Sequence, residues 1–290
     1  MNYFFVLGAQ DKEMETIEEL LAASRQPYGY ATDSSGKRCH PGNAYKASGV
    51  SNLPSGEGKE FVFVECHIAG IEPAVIADHH RPGDPGHGAP PERFWEASAL
   101  GQIWRLLRGD EVPEEELVYI AAADHCLAAA YRGLCPRVDP ERLLELRLRQ
   151  KAEFRGLPLE EIQGQFDLSC SLIKEAMRPR LHSYQTPDPR KGFWEEGDAA
   201  WEWEPEVADL RGVNTPSETP EASCFLGVPF ISTVREKDGR SKIILQGVPP
   251  GKGELVKRFL DGRLAVYPPL PPLTGTYGDP ERGFAGGYLS

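Results

Sequence analysis

The chain has 290 residues, 44 acidic and 32 basic, for a formal net charge of -12. That excess excludes an extended grip on duplex nucleic acid or on an anionic membrane surface, and leaves short nucleotides open. At about 100 to 200 residues per domain the length suggests two domains, and six cysteines without a C-x-x-C pair indicate neither a zinc ribbon nor a redox motif.

Tyr3 to Leu7 is an apolar run stopped by Gly8, and Ile17, Leu20 and Leu21 recur at helical spacing between Met14 and Ser24. The pattern predicts a strand, a turn and a helix, with Asp11 and Glu13 in the turn. Two carboxylates one residue apart either ligate a metal there or favour the dipole of the helix N-terminus. Met1 to Leu7 lacks a basic region and is too short to span a bilayer, so the expectation is a cytoplasmic protein with reduced thiols. Tyr28 to Thr32 reads as a second strand. Asp33 to Lys59, rich in Gly, Ser, Pro and Asn, is a long loop of the functional or mobile kind. Its cations Lys37, Arg38, His40 and Lys46 read first as a solvated surface and second as groups that meet a substrate phosphate. Glu60 to Glu65 alternates as a strand and ends on an acid, with His67 close behind.

Ala74 to Asp78 is a short apolar run followed by His79, His80 and the breakers of RPGDPGH. It reads as a buried strand opening into a loop, the place where ligands collect in open α/β sheets. One carboxylate with two imidazoles suits Mn, Fe or Zn better than Ca. Glu92 to Arg108 places Phe94, Trp95, Ala99, Ile103, Leu106 and Leu107 on one face, predicting a single helix over the sheet. Pro113 and three Glu mark the next helix start. Tyr119 to Ala123 is expected to be a strand that delivers Asp124 at its end, with His125 beside it; a helix-capping Asp124 is the alternative.

Asp139 to Met177 changes to Leu, Arg, Glu and Gln at helical spacing, a linker or cap with a solvated face. Arg178 to Pro220 is rich in Pro, Trp and acid. It reads as a packing insert rather than a base-stacking surface, because its Glu and Asp repel phosphate. Ala222 to Ser290 is expected to run strand, strand, helix, strand through CFLGVPFISTV, SKIILQG, GELVKRFLDG and LAVYPP, closing on a glycine-rich loop.

Asp78-His79-His80 after a buried strand, with acids at other strand ends before and after it, resembles the DHH phosphoesterases. These are metal-dependent enzymes that hydrolyse phosphodiester or phosphoanhydride bonds. The resemblance covers roughly the first 140 residues. It implies metal ligands at Asp11, Glu13, Glu65, Asp78, His79 and Asp124, catalytic roles for His79 and His80, and Mn2+ as the cofactor, with Mg2+, Fe2+ or Co2+ as substitutes. The chain departs from the family pattern H-x-x-D-x-D by carrying Gly8 for the His and Glu13 for the second Asp, and it has Glu65 where Asp is usual. One metal is therefore expected to be held weakly, and Gly8→His with Glu13→Asp is expected to tighten it. The closing Gly286-Gly287-Tyr288 resembles the glycine-rich loop of the DHH-associated domain, its His replaced by Tyr288. It implies substrate binding by Arg282, Gly286 and Gly287.

The expected fold is α/β, with a mainly parallel sheet domain and flanking helices over 1–138, a helical linker and insert over 139–221, and a smaller C-terminal α/β domain over 222–290. The substrate is expected between the two domains. The function implied is hydrolysis, by metal-activated water, of a small phosphorylated substrate: a short oligonucleotide or other short single-stranded nucleic acid, a dinucleotide, or a polyphosphate. Two alternatives stand beside it: a DHH-fold nucleotide-binding module that has lost catalysis, and an unrelated zinc hydrolase built on His79, His80 and His87.

Overall fold

A computed structural model describes residues 2–53, 58–183, 200–280 and 283–289. The chain is α/β and divides into two compact units, Met1–Leu143 and Leu144–Ser290. No helix among the described residues is long and apolar enough to cross a membrane.

The first unit is built on β1 (Tyr3–Leu7), α1 (Lys12–Ala23), β2 (Tyr28–Thr32), β3 (Gly49–Val50), β4 (Glu60–Val64) and β5 (Val75–Ala77). The sheet order is β3-β2-β1-β4-β5. β1 runs parallel to β2 and β4, and β4 parallel to β5, while the short β3 closes one edge antiparallel. Phe4, Phe5, Val6 and Leu7 are all buried, as befits a parallel strand covered on both faces, which reads as a continuous apolar run. The parallel order brings the C-terminal ends of β1, β4 and β5, and hence Gly8, Glu65 and Asp78, to one edge of the sheet.

The helix expected over Glu92 to Arg108 is two helices, α2 (Phe94–Ala97) and α3 (Ala99–Arg108). Ser98 breaks them with an extended backbone and caps α3 by accepting the Gly101 N–H at 3.0 Å. The strand expected at Tyr119–Ala123 is helix instead, part of α4 (Glu115–Ala130). Val118 to Ala122 are all buried, and a helix covered on every side shows no amphipathic period, so an apolar run of this kind reads equally as strand. Alanine at six of the seven positions 121–123 and 127–130, on either side of Asp124-His125-Cys126, supports the helix. The helical geometry fails at Cys126, whose Sγ lies 3.0 Å from that of Cys135.

In the second unit, α5 (Pro140–Arg155) and α6 (Leu159–Ala176) precede a two-stranded ribbon of β6 (Arg180–Ser183) and β7 (Ala200–Trp203). Then come β8 (Ala208–Asp209), α7 (Thr219–Leu226), β9 (Phe230–Arg235), β10 (Ser241–Gln246), α8 (Gly253–Leu260), β11 (Leu273–Asp279) and β12 (Phe284–Leu289). The sheet order is β11-β12-β10-β9-β8. Ile231, Ile243, Leu245 and Ala285 pack with Val256 and Phe259 of α8. Leu148, Ile162, Phe166, Ile173 and Phe230 form a second cluster, so the Leu-rich stretch of α5 and α6 presents an apolar face to core. Arg147 of α5 also grips Glu221 of α7 through two hydrogen bonds of 2.8 and 2.9 Å. Residues 184–199 of the Trp- and acid-rich insert lie outside the described residues.

Three expectations for the C-terminus change. Cys224 to Leu226 belong to α7, Leu264 to Pro269 form no strand, and the glycine-rich closing loop is the β11–β12 hairpin. Gly286 and Gly287 are buried in β12 between β10 and β11. A Cβ on Gly286 would run into the Tyr277 ring, so glycine there makes room for an aromatic side chain crossing the strand. Arg282 lies outside the described residues.

Candidate functional site

Four side chains converge at the edge of the first sheet. One donor atom from each of Glu65, His79, His80 and Asp124 lies within 4.8 Å of the others. Glu65 follows β4, His79 and His80 follow β5, and Asp124 arrives from the interior of α4 just before its break. His79 Nε2 is 3.2 Å from Asp124 Oδ2, and His80 Nδ1 is 3.5 Å from Glu65 Oε1. The imidazoles of His79 and His80 stack with centroids 4.3 Å apart, and His125 meets His79 edge-on at 4.9 Å.

Glu65 is held in the left-handed region, φ 49, a conformation that non-glycine residues adopt rarely and that is stored at functional sites. Gly8 is what allows it. Its N–H donates to the Val64 carbonyl at 2.9 Å, and a Cβ on Gly8 would collide with the Glu65 carbonyl oxygen. The absent His of the family pattern is thus a packing requirement of this chain, and the substitution Gly8→His is sterically closed.

Asp78 is fully buried and its Oδ1 is saturated. It accepts the backbone N–H groups of His79 at 2.7 Å and His80 at 3.0 Å and the Tyr45 hydroxyl at 3.1 Å, with His80 Nδ1 at 3.2 Å. Burial would raise its pKa, but these donors lower it. Asp78 therefore positions both histidines, and it stands outside the four-donor group. Asp11 caps α1 by accepting the Met14 N–H at 2.8 Å. Its pKa is raised, chiefly by desolvation and then by Asp124, while the Met14 N–H, His80 and Arg38 hold it down.

Glu13 is 1% exposed and its Oε1 accepts the Leu100 N–H at 3.0 Å, so it supplies α3 with a second cap. Burial first, then the charges of Asp124 and Glu65, push Glu13 well above the ordinary carboxylate range. Burial and Asp124 do the same to Glu65, with His80 partly opposing. Burial would also raise Asp124, but His79 and His80, with Glu13, bring it below its usual value. For His80 burial acts downward, yet Asp78, Glu65 and Asp124 raise it to about 9.

Glu13 Oε2, Glu65 Oε1, Asp78 Oδ2, His79 Nδ1 and His125 Nδ1 are buried without hydrogen-bond partners. Buried polar atoms are nearly always paired, so such a concentration in one place calls for a group that the protein itself does not supply. Two carboxylates and two imidazoles around one point are the donor set of a divalent transition ion. The chemistry of the residues fits a metal.

His87 is exposed and outside this group, so the three-histidine zinc site does not form among the described residues. His67 is exposed as well. Of the loop cations, Lys37, His40 and Lys46 are exposed while Arg38 turns inward. The family resemblance gives His80 a catalytic role and leaves it out of the ligand set, although the two imidazoles together read as metal donors. Sequence reading missed Tyr45 as the hydroxyl on Asp78 and the inward course of Arg38. Both depend on the path of a loop without periodicity.

No protein-family model matches the chain, and no curated protein matches it. Among solved structures, the chain is similar to the pGpG-specific phosphodiesterase PggH of Vibrio cholerae, at 11% identity and a TM-score of 0.45 over 100% of this chain and 94% of that one. So loose a likeness assigns no activity, and the chemistry of the site rests on its own residues.

Proposed function

We propose that the protein is a metal-dependent phosphoesterase that hydrolyses a small phosphorylated substrate, a short oligonucleotide, dinucleotide or polyphosphate, at the Glu65–His79–His80–Asp124 centre. The observation that carries this reading is the convergence of four metal-type donors within 4.8 Å, on residues whose order along the chain resembles the DHH phosphoesterases. Mixed imidazole and carboxylate donors suit Mn2+, Fe2+ or Zn2+ better than Ca2+, and the resemblance to the DHH phosphoesterases favours Mn2+ among them. When bound, it would lower the pKa of a water and offset negative charge on the leaving oxygen.

The protein's own groups then have distinct tasks. Glu65, His79, His80 and Asp124 hold the ion. Asp78 fixes both imidazoles through the backbone and Nδ1 contacts described above. Glu13, pushed well above the ordinary carboxylate range by burial and by the charges of Asp124 and Glu65, ties α1 to the start of α3 through the Leu100 N–H. Asp11, engaged by the Met14 N–H, and Gly8, which has no donor, leave the neighbouring position poor in ligands. One tightly held ion is therefore expected, with any second one loose.

A second reading, a nucleotide-binding module that no longer hydrolyses, draws on that same poverty at Gly8 and Asp11. A panel of phosphodiesters and phosphoanhydrides assayed with Mn2+ and with chelator separates the two. Turnover that needs Mn2+ supports the enzyme, whereas binding without turnover under both conditions supports the module.

A further inference from the structure

We propose that Arg38 and Arg81 are paired anion anchors flanking this centre, and that the substrate presents two phosphoryl groups to them; the placement rests on the phosphoesterase reading of the site. The centre is dominated by carboxylates and would repel a phosphate, so fixed cations at its margin decide what approaches. Both arginines come from the loops around the sheet edge, and both are held the same way. Arg38 lies with its guanidinium carbon 4.2 Å from the Tyr30 ring centroid, and Arg81 lies 4.0 Å from that of Tyr45.

Local structure explains each position. Asp33 Oδ1 accepts the N–H groups of Ser35 and Lys37 at 2.8 and 3.1 Å, and Asp33 N–H donates to the Lys37 carbonyl at 2.9 Å. That tight turn brings Arg38 back against Thr32, where its Nε donates to the Gly8 carbonyl at 3.2 Å. Arg81 directly follows His80, and its backbone N–H donates to Asp84 Oδ2 at 2.7 Å. β4 lies between β1 and β5, so Arg38, on the carbonyl of Gly8 just after β1, and Arg81, in the loop after β5, come from opposite sides of the strand that delivers Glu65.

Neither guanidinium is saturated. Arg38 faces Glu18 at 3.8 Å and Arg81 faces Asp84 at 3.6 Å, both beyond hydrogen-bond length. Arg38 Nη2 and Arg81 Nε are buried with no partner. Arg147, by contrast, bonds Glu221 through both Nε and Nη2, as a structural arginine does. Stacking on a tyrosine pre-organises the planar fork without using its N–H groups, the arrangement that suits bidentate capture of phosphate. Two such forks on opposite flanks select two phosphoryl groups in one small molecule.

Calorimetric titration of the full-length protein as purified, in buffer free of added metal, with methylphosphonate and with methylenediphosphonate tests this. Wild type should bind the diphosphonate about tenfold more tightly, Arg38→Ala or Arg81→Ala should each remove that advantage, and the Lys substitutions should keep only part of it. Melting temperatures are measured alongside, and should an Ala variant unfold, the Lys variant carries the comparison. Equal affinity for the two phosphonates, no detectable binding of the diphosphonate, or variants that bind as wild type does would overturn the proposal. Because the readout is affinity and not hydrolysis, it stands or fails separately from the proposed activity.

Discussion

Glu65 and Gly8 meet backbone to backbone, and the pair shows how one residue limits another. With no room for a Cβ at Gly8, Gly8→His should destabilise the first unit by about 3 kcal/mol and weaken metal binding where family likeness alone suggests it should tighten. Chemical denaturation checks this, and an undiminished midpoint would count against it. Asp78 is likewise a poor probe of catalysis. Asp78→Ala would strand the Tyr45 hydroxyl and two backbone N–H groups in a buried place, a loss of about 3 kcal/mol or more. His79→Ala strands no backbone donor but takes the 3.2 Å partner from the buried Asp124 Oδ2. It should lower stability by about 1 to 3 kcal/mol while reducing Mn2+-dependent hydrolysis by orders of magnitude, and assays well below its melting temperature separate the two effects. The titrating groups give a pH dependence. His80, ordinarily near 6.5 and raised to about 9 in the fold, contributes stability that is present below pH 6.5 and lost as pH rises through 9. Glu13 and Glu65, raised above their ordinary 4.5, act in the same direction. The melting temperature of metal-free protein should therefore fall between pH 6.5 and 9. Metal binding displaces these protons, so the gain on adding Mn2+ should widen over the same range. A metal-free melting temperature that rises across this window would contradict the assignment.

Ser98 separates α2 from α3 and caps α3, while Glu13 reaches across from α1 to cap the same end. Ser98 is fully buried, so Ser98→Ala should reduce stability by about 1 to 2 kcal/mol, and thermal denaturation measures it. This break was invisible in the sequence, since Phe94, Trp95, Ala99 and Ile103 keep helical spacing across it. β1, α1, β2, β4 and β5 were legible because apolar runs bounded by Gly, Pro and acids leave few alternatives. α4 was not, because burial on all sides erases the period on which a reading depends. The C-terminal hairpin was misread for a related reason: glycines that admit Tyr277 into the sheet look the same in sequence as glycines of an open loop. At the site, Glu65, His79 and Asp124 were legible from their order, whereas Tyr45 and Arg38 were not, because a loop's course is set by contacts far away in sequence.

Within the second unit, β12 is an inner strand and Ala285 lies in the core. Truncation after Pro272 should therefore unfold that unit, removing its cooperative melting transition, instead of only weakening substrate binding; a truncated protein that melts like wild type would contradict this placement. For the protein as a whole, the central claim is that Glu65, His79, His80 and Asp124 form one metal centre that hydrolyses phosphoesters. Elemental analysis of the Mn2+-loaded, desalted protein, paired with hydrolysis of its preferred phosphoester, tests it most directly. The expected result is about one ion per chain, bound through the two imidazoles and two carboxylates, falling to near zero together with activity in His79→Ala and in Asp124→Asn. Full metal content in both variants, or hydrolysis by wild type that persists in chelator, would contradict it.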